Sequence, residues 1–434
     1  MTPPAAPSSS KPPFSWLSVG LLALGLLGAL FFWSQAVGAL TLGLVPSLRN
    51  LMPGMRRGSL FALALSGALV GAAFLLSAVY AMRRLMGREE PLPWHRAWLR
   101  LHRAVYWLGP LAFVLALFMG VAVEGRTPWE WVFFPLAHVT AVVVPVWWWL
   151  ALGSRSLRLE QSPQRRWGLV SAGLGLGPFA SIMAEIGLLV AGIVLTAILL
   201  SGHPQLAARL EVLGRRLAFS AGNPQALERV LRSAFSEYPW LVFALMASLG
   251  VVVPLLEEFF KPLGVWALMG SRISPAEGFL AGMLSGGMFS LLEGLFSTAV
   301  GEQWGITVLG RVGTSLMHIA ASGLVGYALV AAWGKRRYLL LAAAYLLAVT
   351  LHGVWNVSVV TLSLGDMLNA PLWTRVLGGT GAGLVVLACL FIIVKLGRNG
   401  ADSVVDEVDG PPQEAPLPVE KKGNEPHGLA DNSD

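Results

Sequence analysis

Cysteine is almost absent from this chain: Cys389 is the only one in 434 residues, so neither an intrachain disulfide nor a zinc–thiolate cluster can be built. Its apolar neighbours make it a small hydrophobe. Charge is scarce as well. Asp, Glu, Lys and Arg together reach 13 % of the residues, about half the share of a soluble globular protein, which excludes an ordinary cytosolic enzyme. No HExxH helix occurs, so a metal site cannot come from one helix in the manner of the common zinc peptidases. Nothing resembles a nucleic-acid module, and nucleic acid is not an expected partner. The leading MTPPAAPSSSKPP lacks the charged start and short apolar core of a cleaved secretory signal. It reads as a disordered stretch, 1–14, ahead of a retained helix.

What is abundant is apolar: 55 % hydrophobic residues, 49 Gly and 17 Trp. Runs long enough to cross a bilayer fall near 15–45, 59–82, 104–123, 131–153, 168–200, 239–269, 276–300, 312–333, 338–362 and 372–395. The expected fold is therefore all-α, a polytopic membrane helix bundle of about ten transmembrane helices (range roughly 8–11). The first, fifth and sixth runs exceed one crossing and are expected to tilt, break or extend beyond the membrane. Between 201 and 238, Leu, Val and Phe recur at helical spacing among Arg and Glu, with a break at Gly222-Asn223-Pro224. That pattern predicts two amphipathic helices outside the hydrocarbon.

Charge also orients the chain. Residues 399–434 hold nine Asp/Glu and two Lys, against 29 Lys/Arg and 15 Asp/Glu before them, so a basic body precedes an acidic tail that is expected to be disordered and cytoplasmic. Six Arg lie in 83–103, four in 154–167, and Lys335, Arg336 and Arg337 form a third cluster. With these inside, ten crossings put both termini in the cytoplasm of a multi-pass cell-membrane protein. Arg49, Arg56 and Arg57 then fall outside, the one blemish in this scheme. The organisation is a disordered 1–14, a four-helix region 15–153, a membrane domain 154–362 carrying the amphipathic 201–238, a last helix within 363–398, and the tail 399–434.

Ionisable groups at membrane depth are costly unless paired or hydrated, so each is a candidate for function. These are His138, Glu185, Glu257, Glu258, Lys261, Glu293, His318 and His352, with Arg311 at a helix start. Six lie between Glu257 and His352. Glu257 and Lys261 are one helical turn apart and Glu258 is three residues from Lys261, so the ammonium compensates one carboxylate and leaves the other available as a general base or acid. The plainer reading is a lysine-capped glutamate pair at a helix end. Glu293 follows Phe289 on one face of a helix in which Gly278, Gly282, Gly286 and Gly287 allow close packing. Arg311 shares a face with His318, and His352 with Asn356. A single intramembrane histidine is more often a hydrogen-bonded core residue than a ligand. Two histidines with a glutamate, here His318, His352 and Glu293, form a known zinc-ligand set. For His138 and Glu185, hydrogen bonding between helices is the expected role.

The ordered series Glu257-Glu258-x-x-Lys261, Phe289-x-x-x-Glu293, Arg311 with His318, and His352-x-x-x-Asn356 resembles the PrsW family of intramembrane proteases. That family is related to the CAAX prenyl endopeptidase and Abi superfamily, with its EExxxR, FxxxH and HxxxN series. The resemblance is strongest over 250–360. It departs at Asn356, where the family often has Asp. It implies hydrolysis of peptide bonds in membrane-tethered proteins, anti-sigma factors being one kind, by glutamate-activated water with or without zinc. It also favours Glu257 over Glu258 as the base. On this reading Glu257, Glu258, Lys261, Glu293, His318, His352 and Asn356 are catalytic, Asn356 donating to the oxyanion, and Glu293, His318 and His352 are the metal set. The competing readings are a non-catalytic scaffold or substrate-presenting protein of the same fold, and a proton-coupled transporter. A transporter predicts polar clusters in both halves, whereas here they sit in one segment.

Overall fold

Helices begin in this chain where short polar side chains precede proline or an apolar run, and the computed structural model follows those signals. It describes residues 15–49, 55–88, 95–126, 128–157, 162–220, 223–299, 303–367 and 370–409. The Ser162 hydroxyl accepts the Arg165 amide at 3.3 Å ahead of Pro163. Asn223 caps the next break by accepting the Ala226 amide at 3.0 Å ahead of Pro224. Ser274 and Glu277 form a reciprocal capping box around Pro275. In each case the side chain satisfies an orphan amide, and proline at the first helical position loses nothing.

The resulting order is α1 (Trp16–Leu44), α2 (Arg57–Leu85), α3 (His95–Val123), α4 (Glu130–Ser154), α5 (Pro163–Leu200), α6 (Pro204–Ser220), α7 (Pro224–Glu237), α8 (Trp240–Trp266), α9 (Pro275–Ser297), α10 (Trp304–Lys335), α11 (Tyr338–Met367) and α12 (Leu372–Asp409). No strand occurs among the described residues. All of these except α6 and α7 contain a stretch long and apolar enough to cross a membrane. The short pair α6 and α7 meets at the break read from Gly222-Asn223-Pro224, and α12 runs on to Asp409, past the boundary at 398. The disordered stretch expected at 1–14, and the tail from 410 onward, lie outside the described residues.

The centre of the bundle is α10, 89 % of whose most apolar window is buried. It packs along α9 at glycine contacts: a Cβ on Gly282 would strike the Ser322 carbonyl, and one on Gly286 the His318 carbonyl. Close approach of this kind replaces the hydrophobic drive that lipid cannot supply. Around this core, α1 lies along α2, α3 along α4, and α11 and α12 flank α10. His138 joins the two halves. Its Nδ1 accepts from Trp304 Nε1 at 3.1 Å, so its Nε2 carries the hydrogen and donates to the Leu295 carbonyl at 3.0 Å, giving the helix-to-helix role expected of it. On the loop side, Arg56 reaches Glu124 at 2.9 Å and Glu130 at 3.7 Å. Residues 182–200 of α5 are different: nearly all are exposed, with few protein neighbours.

Candidate active site

The site is positioned by an interruption in α8. Residues Ser248–Val252 adopt π-helical geometry, in which Val253 bonds back five residues to the Ser248 carbonyl. Continuing that pattern, residue 254 would donate to Leu249, but it is a proline and has no N–H. The Leu249 carbonyl is satisfied instead by Asn356 Nδ2 at 2.9 Å. Asn356 therefore pins α11 to the bulge, using one of its two amide N–H donors there. The same contact is tightened at Gly250 and Gly353, where a Cβ on Gly353 would collide with the Gly250 carbonyl.

Downstream of the bulge, α8 delivers its charged triplet into the core and breaks at Lys261-Pro262. Lys261 Nζ lies 2.6 Å from Glu258 Oε1 and 2.9 Å from Glu257 Oε2. It also stands 2.6 Å from His318 Nδ1 and 3.4 Å from His352 Nδ1. The Lys261 carbonyl accepts from the Ser285 hydroxyl, and the ammonium sits 4.8 Å from the centre of the Phe289 ring. One cation is thus surrounded by two carboxylates, two imidazoles and an aromatic face, which is how a buried ammonium is held.

The histidines face each other edge to face, their ring centres 5.0 Å apart. His352 Nδ1 lies 2.9 Å from Glu258 Oε1 and its Nε2 lies 3.8 Å from Glu257 Oε2. A carboxylate behind the Nδ1 of a histidine orients the ring and frees Nε2 for a ligand. His318 is arranged otherwise. A charged ammonium can only donate, so His318 Nδ1 accepts and its Nε2 carries the hydrogen, 3.3 Å from Glu293 Oε2. Glu293 is held from its other side by Arg311 at 2.6 Å.

Of the four elements read from the sequence, all except Asn356 converge on this point, but their grouping differs from expectation. One donor atom each from Glu257, His318 and His352 lies within 4.8 Å of the others; Glu293, expected to complete that set, is engaged by Arg311 and His318 instead. The three donors are of zinc-binding type, and the Lys261 ammonium in their midst shows that the place suits a cation. The residues fit a divalent metal, with Lys261 as its competitor.

Depth separates the carboxylates further. Glu258, Lys261, His318 and His352 are fully buried, whereas the side chains of Glu257 and Glu293 keep 15 % and 38 % of their surface exposed. Both open into one cavity of about 730 Å³, bounded by α1, the start of α2, α5 and α9. Glu185 of α5 lines it too, held only loosely by the Ser181 hydroxyl at 3.4 Å. The expected helix-to-helix bond of Glu185 is thus replaced by a place on the cavity wall. Its spacing from Ser181 and Pro178, one turn and two turns away on one face, was the signal that could have shown it.

Compared with known families, residues 184–394 match the model of a PrsW family intramembrane metalloprotease. No curated protein and no solved structure matches the chain.

Proposed function

We propose, from the premise that residues 184–394 belong to the PrsW family of intramembrane metalloproteases, that the chain is an endopeptidase cleaving membrane-tethered proteins at the cavity shared by Glu257 and Glu293. One observation carries this reading beyond family membership. Glu257 is the single carboxylate that both opens to the cavity and stands in ligand range of the two buried histidines.

Hydrolysis requires a water deprotonated as it attacks the scissile carbonyl, and a proton returned to the departing amine. Glu257 is placed for both transfers. Its carboxylate accepts the proton of a water lodged between it and Glu293, then hands it to the amide nitrogen as the C–N bond breaks. Lys261 balances the charge of Glu257 and Glu258, and Glu258 holds His352 from behind. Burial of Glu258, Lys261 and both histidines strengthens their electrostatic contacts. Asn356 acts one step away, by fixing the bulge that aims Glu257.

A metal-dependent form of the same reading is favoured by the donor set. Glu257, His318 and His352 would hold the metal, which when bound polarises a carbonyl and makes water acidic at neutral pH. Glu293, the cavity carboxylate beside His318, would then take the proton, steadied by Arg311. Lys261 must in that case release His318 Nδ1.

The test compares membrane and released peptides from cells making the wild type with those making Glu257→Gln, Glu258→Gln at equal abundance. Fragments ending near a transmembrane boundary that appear only with the wild type are expected. A folded, abundant wild type that changes no peptide would leave the scaffold reading in its place. Metal content of the purified chain decides between the two forms: metal lost in Glu257→Gln but kept in Glu293→Gln marks the metal-dependent one.

A further inference from the structure

Much of the cavity's lining lies outside the matched family region. Residues 184–394 supply Glu185, Glu257 and Glu293, but the facing wall is α1, with Phe31, Gln35 and Leu42 among its lining residues. Helix α1 packs along α2, and the first part of α5 packs on α2 and α9 while its later part meets α8, so the cavity separates α1 from the outer half of α5 only. That half is almost bare of protein contacts beyond Ser181, and elements with so few buried contacts are displaced at little cost.

The polar groups on this wall are out of place for a lipid pocket. The Gln35 carboxamide hydrogen-bonds to no described residue, and Glu185 has only the long Ser181 contact. In hydrocarbon such groups want partners. An acyl chain offers none. A polypeptide whose helix is opened for hydrolysis offers N–H and C=O groups in pairs, and inside a bilayer these cannot be left unpaired.

We propose that the gap between α1 and α5 is the lateral passage by which the substrate's membrane segment reaches Glu257, and that Gln35 and Glu185 are positioning residues that bind its locally unwound backbone. The Gln35 amide donates to a substrate carbonyl, and Glu185 accepts a substrate N–H. This rests on the peptidase reading above and assigns to α1, from outside the matched region, a share in substrate choice.

The experiment reconstitutes the full chain in phosphatidylethanolamine–phosphatidylglycerol vesicles with the tagged protein identified by its wild-type-specific fragments. Gln35→Leu and Glu185→Leu are expected to raise KM by about fivefold each, the worth of one hydrogen bond, with kcat little changed, and Glu185→Gln to restore KM. In a Glu257→Gln chain, p-benzoylphenylalanine at position 35 is expected to cross-link to the tagged protein, and at Leu195, on the bare face of α5, to lipid only. A wild type that cleaves the protein while Gln35→Leu and Glu185→Leu keep its KM, or adducts to lipid alone from position 35, overturns this inference and leaves the peptidase reading intact. A wild type that cleaves nothing overturns both.

Discussion

Lys261 is the residue on which the site's electrostatics turn, because its ammonium lies within 3 Å of both Glu257 and Glu258. Replacing it with methionine strands the fully buried Glu258 carboxylate, and breaking a buried pair in this way costs about 3–5 kcal/mol. Lys261→Met is expected to lower the thermal midpoint of the detergent-solubilised chain sharply, and Glu258→Gln, Lys261→Met together to recover much of that loss. On the peptidase reading, Glu257→Gln is expected to reduce peptide release by about 10²–10⁴-fold while the midpoint stays near that of the wild type. These charged positions were all legible in the sequence, since nothing else so polar interrupts the apolar runs. The pairing of Lys261 with Glu257 and Glu258 was legible too, from its one-turn spacing, but the partners on other helices were not. Spacing places residues on a face of their own helix, whereas the choice between Glu257 and Glu293 as companion of the histidines depends on how four helices are rotated about their axes.

At the scale of the element, the decisive feature is the π segment of α8. One extra residue in a turn rotates everything after it by roughly 100°, so a face drawn from regular helical spacing points Glu257 and Glu258 the wrong way. Pro254 was visible, but its effect requires Asn356 to be nearby to take up the Leu249 carbonyl. The two are therefore expected to be coupled. Asn356→Ala should destabilise by about 1–3 kcal/mol by leaving the Leu249 carbonyl unsatisfied within the apolar bundle, and by less in a Pro254→Ala background, where a backbone N–H is restored; a double-mutant cycle on the thermal midpoint measures the difference. The seam between α9 and α10 gives a second check. Gly286→Ala meets the His318 carbonyl and is expected to cost about 1–3 kcal/mol along with activity, whereas Gly310→Ala, which meets nothing within 4 Å, leaves both unchanged.

For the whole molecule, the number and order of spanning helices were legible because the bilayer imposes a length that sequence can be measured against. The cavity was not, since it arises between α1 and α5, far apart in the chain. The Arg-rich stretches 83–103 and 154–167 predict that those loops face the cytoplasm, which would leave α6–α7 on the other side; reporter fusions at Arg337 and within α6 are expected to give cytoplasmic and extracytoplasmic signals respectively. Helix α5 runs 38 residues, about 57 Å at helical rise against roughly 30 Å of hydrocarbon. Such an excess is relieved by tilt, and a thinner bilayer demands more of it. With its outer half almost bare of protein contacts, α5 has room to tilt, and on the peptidase reading cleavage by the reconstituted chain is expected to change with the acyl-chain length of the vesicles around it.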